Sequence, residues 1–176
     1  MNKDLDLDPS KIFLRGIISS DYEATKEFRC GNGSMELFLS TDAFISHISR
    51  EASTTLVFYK NELIAYFTLH HEKIKSETPF ENFDSNTLSL DRLAVSSKFQ
   101  SKGVGTYLMK RIKEIAYMTN EMYIQAYAVF DKWQWYQDLG FRYFFEDDID
   151  EEKTNGLVYM IFELLDEKAI EEYCDV

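Results

Sequence analysis

The chain has 176 residues, enough for one domain with a substantial core, and we expect a single domain over 1–176. It is 45% hydrophobic and 15% aromatic, which excludes a disordered polymer, and no uninterrupted apolar run approaches membrane-span length. The formal net charge of −12 sets the chain against nucleic acid at long range unless a basic face is segregated, and favours cationic partners.

The opening segment, MNKDLDLDPSKIF, is too acidic and too broken for a signal peptide. SKIFLRGII reads as a first strand, and residues near 21–28 as a short helix. CGNG, Cys30 to Gly33, is a turn, after which Ser34 resembles a helix N-cap. Met35, Phe38, Phe44, Ile45 and Ile48 then supply an apolar face at helical spacing. TTLVFYK and LIAYFTLHH flank Asn61-Glu62 and predict a two-residue hairpin. SETPFENFDSN, residues 76–86, reads as a loop, and TLSLDRLAV as the next strand. After Gly103 and Gly105, Leu108, Ile112, Ile115 and Ala116 share one face of a helix, with Lys110, Lys113 and Glu114 elsewhere around it. MYIQAYAV is a further strand, and DKWQWYQDL a short helix closed by Gly140. FRYFF and LVYMIFEL are two last strands around an acidic loop, Glu146 to Asn155. The order describes a mixed α/β domain. Its long central crossover helix is expected to be right-handed, making the strands around Leu93 and Ile124 parallel.

Charge is uneven along the chain. Residues 146–176 carry twelve acids and two bases, whereas Lys98 to Lys113 carry five bases and no acid. Cys30 and Cys174 make neither a disulfide framework nor a metal spacing. Neighbouring His70 and His71 point to opposite faces of a strand, which argues against a two-histidine metal site. A reduced, cytoplasmic protein without metal is the simplest reading.

The stretch LAVSSKFQSKGVGTYLM, Leu93 to Met109, joins a strand to a helix through two glycines and suits an anion. A P-loop needs a lysine after its last glycine, and Gly105 is followed by Thr106-Tyr107. A dinucleotide fingerprint needs a third glycine, where Leu108 stands. A third pattern fits fully: Gln100, two free positions, Gly103, one free position, Gly105.

LDRLAVSSKFQSKGVGTYLM resembles the acetyl-coenzyme-A-binding motif of the GNAT superfamily of N-acyltransferases. WYQDLGF, Trp135 to Phe141, is similar to the family's later tyrosine–glycine–phenylalanine element. Together with the order of elements, the resemblance covers about residues 11–165. It implies a GNAT fold: a mostly antiparallel sheet with a splayed parallel strand pair around the cofactor groove. It also implies acetyl-CoA as cosubstrate. The backbone of Leu93, Ala94 and Val95 would guide the pantetheine arm. Gln100, Ser101, Lys102, Gly103, Val104, Gly105 and Thr106 would meet the pyrophosphate, with Lys98 and Lys102 adding positive charge.

Acyl transfer to an amine needs a deprotonated amine, whose pKa when free is about 10.4, a stabilised oxyanion, and a proton for the departing thiolate. Tyr136 matches the tyrosine that serves many relatives as general acid. Asp91, four residues before Val95, stands where several relatives place a carboxylate base. Pairing of Asp91 with a neighbour such as Arg92, or capping of a local polar pocket, accounts for it equally well; Glu72 and His71 are weaker candidates for the base, and an amine that loses its proton to solvent before binding needs no dedicated base. The Val95 N–H is the expected oxyanion donor. Val129 and Lys132 replace an Asn and an Ala common in relatives.

FRCGNGSMELFL, TTLVFYKNELIAYFTL and DRLAV also resemble the GNAT branch that includes bacterial toxins acetylating aminoacyl-tRNA. Net charge speaks against a nucleic-acid substrate. The first expectation is therefore a small-molecule or protein amine as acceptor. Aminoacyl-tRNA, or a non-catalytic acetyl-CoA-binding module, are the alternatives. The aromatic C-terminal strands are compatible with a homodimer, and core packing explains them as well.

Overall fold

A computed structural model describes residues 4–78, 81–143 and 156–164, without the side chains of 74–78 and 81–84. The chain divides into two compact units, Met1–His71 with Ser89–Ile112, and Glu72–Leu88 with Lys113–Val176.

In the first unit the strands run in the order β1 (Ile12–Gly16), β2 (Ser53–Tyr59), β3 (Glu62–Thr78) and β4 (Glu81–Val95), the last two continuing into the second unit. β1 and β2 are antiparallel, with Ile12 opposite Tyr59 and Gly16 opposite Thr55. The β2–β3 turn is Lys60-Asn61, one residue before the predicted pair. Both residues have positive φ, 50° and 69°, and Tyr59 pairs with Glu62. A two-residue turn with both centres left-handed matches strand twist, and asparagine tolerates that conformation well. The first strand is shorter than predicted because a 3-10 turn, Pro9–Lys11, precedes it, capped by Asp8.

Three short helices follow β1 in the chain: α1 (Tyr22–Glu27), α2 (Gly33–Thr41) and α3 (Ala43–Ile48). The α2 cap is Asn32, not Ser34: its Oδ1 accepts from the N–H groups of Ser34 and Met35 at 3.1 and 3.2 Å. The predicted apolar face breaks between α2 and α3. Met35, Phe38 and Phe44 join the core, while Ile45 and Ile48 are more than half exposed. That core gathers Ile17, Phe28, Leu39, Ala43, Leu56, Tyr66 and Ala94. Tyr66 is wholly buried and donates its hydroxyl to the Met35 carbonyl at 2.8 Å, which removes the cost of an unsatisfied buried donor. His47 is structural, its Nδ1 accepting from the Thr54 N–H at 3.2 Å.

Buried Asp21 takes both guanidinium nitrogens of Arg15, at 2.7 and 2.6 Å, and the Ile18 N–H at 2.9 Å. The guanidinium outweighs burial and holds the Asp21 carboxyl below the usual range. Stability from this pair is therefore complete above the unfolded carboxyl value, about 3.9, and is lost as pH falls through the lower folded value. Asp21→Asn is expected to cost about 2 kcal/mol at neutral pH, less than a fully dry pair because Arg15 meets water, and to lessen the loss of stability below about pH 4. Denaturant midpoints of both proteins between pH 3 and 7 check this.

The second unit orders its strands β3-β4-β5-β7-β6, with β5 at Tyr123–Val129, β6 at Arg142–Tyr143 and β7 at Leu157–Glu163. Among the described residues β4 and β5 are the one parallel pair, joined by the predicted crossover helix α4 (Val104–Met118); at the start of β5 the Met122 N–H donates to the Asn86 carbonyl at 2.9 Å. β5 and β7 are antiparallel, with Tyr123 opposite Glu163 and Val129 opposite Leu157. The predicted loop 76–86 is strand at 76–78 and 81–86, since β3 and β4 are far longer than their apolar cores suggest. Ser85 is buried there, so pairing and packing override a polar composition. The predicted acidic loop 146–155 and Phe144-Phe145 lie outside the described residues. Among the described residues no helix is long and apolar enough to cross a membrane.

Candidate active site

The first unit carries the strand–glycine–helix junction. Ala94 is buried in the core, while Leu93 and Val95 are half-buried, so all three side chains serve packing. The chain leaves β4 with the Ser96 N–H on the Ile64 carbonyl at 2.7 Å and the Ser97 N–H on the Arg29 carbonyl at 2.9 Å. Gln100 then folds back, and its Nε2 donates to the carbonyls of Cys30 at 2.8 Å and Val95 at 2.9 Å. Its amide nitrogen thus ties the start of the loop to the end of β4 and to the Cys30 turn.

Ser101 and Gly103 both adopt positive φ, 60° and 76°. The α4 ladder begins with the Tyr107 N–H on the Gly103 carbonyl at 2.9 Å. The N–H groups of Val104, Gly105 and Thr106 stand ahead of that first bond, as at any helix start, where partial positive charge favours an anion. Val104 is buried and anchors the turn; Gly105 and Thr106 are half-buried. The expected lysine charges are partly engaged elsewhere. Lys98 pairs with Glu62 at 3.0 Å, and the Lys102 ammonium lies 5.1 Å from the centre of the Phe99 ring.

Asp91 does not pair with Arg92. Its Oδ2 lies 2.8 Å from His70 Nδ1, and its Oδ1 accepts from the Ser89 hydroxyl at 3.1 Å. Arg92 instead lies over the Phe38 ring, 4.4 Å from its centre. Both members of the His70–Asp91 pair are about a third exposed. His70 is the residue that sequence reading missed, because only the β3–β4 register brings it beside Asp91.

The second unit carries Tyr136 on α5 (Trp133–Asp138). Gly140, at φ 89°, ends the helix as predicted, and the N–H groups of Leu139 and Phe141 both reach the Tyr136 carbonyl. The Tyr136 ring is buried edge-to-face against Trp135 and Phe141, with centroids 4.9 and 5.4 Å apart. Burial pushes its phenol up to about 12. Lys113 supports this corner: its Nζ donates to the Leu139 carbonyl at 2.7 Å and lies 3.5 Å from the centre of the Phe162 ring, and burial pulls its ammonium down. A lysine on the last carbonyls of α5 offsets that helix's negative end.

Glu72, a weaker candidate for the base, accepts from the Gln125 amide, while Tyr159 donates to the Gln125 oxygen at 2.6 Å. Burial and the neighbouring Tyr127 and Glu72 push the Tyr159 phenol up to about 12. Among the described residues no group of three or more His, Cys, Asp or Glu side chains could hold a metal ion.

A family model described as the acetyltransferase (GNAT) domain matches residues 51–143, from before β2 to the end of β6. The chain belongs to the GNAT acetyltransferases. A search of curated proteins finds no significant match. Among solved structures, this GNAT chain is similar to AtaTR bound with acetyl-CoA, at 17% identity and a TM-score of 0.72, over 93% of this chain and 98% of that one. It is similar to a tyrosine-to-phenylalanine mutant of KacT, at 16% identity and 0.71, over 93% and 99%. It is also similar to AtaT complexed with acetyl-methionyl-tRNA, at 17% identity and 0.68, over 92% and 98%. At these identities the likeness is one of fold.

Proposed function

We propose that the protein transfers an acetyl group from acetyl-CoA to a primary amine of a small molecule or a protein. The observation that carries this reading is the Ser101–Thr106 junction. Left-handed Gly103 opens a fifteen-residue helix whose first N–H groups lie ahead of its ladder. That arrangement suits a pyrophosphate. The backbone of Leu93–Val95 would guide the pantetheine arm, and the Val95 N–H would meet the carbonyl oxygen as it gains charge. The amine nitrogen bonds to the thioester carbon, the carbon–sulfur bond breaks, and Tyr136 gives its proton to the departing sulfur. Asp91, acting with His70, accepts the proton that the amine releases.

If the pair acts as one base, Asp91→Asn and His70→Ala each lower turnover about ten- to a hundredfold, and the double variant is no worse than either single one. Additive losses in steady-state rates would separate their roles, and an unchanged His70→Ala would leave Asp91 acting alone.

A second reading takes the amino group of an aminoacyl-tRNA as acceptor, favoured by the fold shared with AtaT, which is seen with acetyl-methionyl-tRNA. The net charge of −12 weighs against it. Release of CoA against a panel of amines, peptides and charged tRNA decides between them. The first reading predicts turnover on a free or protein amine. Acetylation of charged tRNA alone would replace it with the second, and acetyl-CoA binding without turnover on any acceptor would indicate a non-catalytic module. The thiol usage of the chain, with Cys30 a free half-buried cysteine, fits a reduced cytoplasmic setting.

A further inference from the structure

Gly103 has a neighbour that the glycine motif does not foretell. A Cβ at this position would stand 2.4 Å from the Asp4 carbonyl oxygen, 2.6 Å from its carbon and 2.7 Å from the Leu5 Cα. One residue earlier, the Lys102 carbonyl accepts from the Asp6 N–H at 2.9 Å. The segment Asp4–Asp6 therefore lies along Lys102-Gly103 and touches it only through main-chain atoms in these contacts. All peptide bonds described are trans. In a trans peptide the C=O and the following N–H point in opposite directions. The bond that holds the Lys102 carbonyl on Asp6 thus turns the Gly103 N–H away from the N-terminal segment.

Resting on the acetyl-CoA reading, we infer that the Asp6 main chain is a positioning element for the coenzyme: by holding the Lys102–Gly103 peptide, it aims the Gly103 N–H at the pyrophosphate. Without that bond, a peptide next to glycine rotates cheaply, because glycine accepts both resulting backbone conformations. A rotated peptide presents a carbonyl oxygen to the anion in place of a donor. The exposed carboxylates of Asp4 and Asp6 work in the opposite direction, since negative charge near an anion site opposes binding. Main chain and side chain at one residue therefore carry opposite signs, and this separates positioning from general structural support.

Asp6→Pro removes the N–H; Asp6→Ala keeps it and removes the charge. Calorimetric titration with acetyl-CoA is expected to show Asp6→Pro binding about tenfold more weakly or worse, a loss the size of one charge-assisted hydrogen bond. Asp6→Ala is expected to bind as tightly as the wild type or up to about threefold tighter. S-acetylpantetheine, which has no pyrophosphate, should bind all three proteins alike. Equal acetyl-CoA affinity in Asp6→Pro and wild type would overturn the inference. So would a parallel loss for S-acetylpantetheine, or an Asp6→Ala loss as large as that of proline. If Asp6→Pro does not fold, judged by its ligand-free thermal midpoint, a deletion of residues 1–6 is read by the same criteria. A wild type that does not bind acetyl-CoA defeats the proposed function instead, and is recognised before any variant is compared.

Discussion

Tyr136→Phe is expected to lower turnover at least about a hundredfold while acetyl-CoA affinity stays within about twofold of the wild type. The substitution removes one oxygen from a buried ring and keeps the packing on Trp135 and Phe141. Because the ring and its packing stay, no cavity opens and the folded state should lose little stability. A large drop in rate with unchanged stability and unchanged donor binding therefore isolates proton donation to the thiolate. The phenol, pushed up to about 12, keeps its proton throughout the ordinary working range. Hence this group should cause no alkaline loss of rate below about pH 11. Stopped-flow or continuous thiol detection at saturating acetyl-CoA measures both quantities. Turnover of Tyr136→Phe near the wild-type value would remove the residue from the mechanism.

Gly103→Ala is expected to destabilise the protein by about 2 to 4 kcal/mol and to weaken acetyl-CoA binding more than tenfold. Two independent causes act together. The backbone is left-handed at φ 76°, which costs an alanine roughly 1 to 2 kcal/mol. Its methyl group would also meet main-chain atoms of Asp4, and main chain cannot turn aside as a flexible side chain does. Either the loop distorts or the N-terminal segment leaves, and both outcomes disturb the Lys102–Gly103 peptide. Gly105→Ala is the contrast. Gly105 sits inside the first turn of α4, where alanine is the better helix former by about 1 kcal/mol. Its backbone is helical and not left-handed, so Gly105→Ala escapes the conformational strain that Gly103→Ala meets. Thermal midpoints with and without acetyl-CoA distinguish the two glycines.

These two sites also show what the sequence makes legible. The glycine junction and the helix closed by Gly140 are local patterns, set by residues a few positions apart, and they stand as the sequence predicts. The parallel β4–β5 pair follows from the crossover helix between them. Partners brought by register are a different matter. Asp91 meets His70 twenty-one residues earlier in the chain, across two strands whose far ends read as a loop. The Asp4–Gly103 contact spans most of a hundred positions, and no local pattern announces it. Lys98 and Lys102 illustrate the same limit: their charge is plain in the sequence, but Glu62 and the Phe99 ring take up part of what they offer. Gln100 is legible as a motif residue, but its bonds to the carbonyls of Cys30 and Val95 are visible only in the folded chain.

Every proposed step depends on the Ser101–Thr106 junction binding the donor of an acetyl transfer. Titration of the wild-type protein with acetyl-CoA, beside Gly103→Ala, tests it most directly. One saturable site is expected on the wild type, and a loss of more than about tenfold in affinity for the alanine variant. A wild type that releases no heat and gains no thermal stability with acetyl-CoA, or an alanine variant that folds and binds as the wild type does, would contradict it.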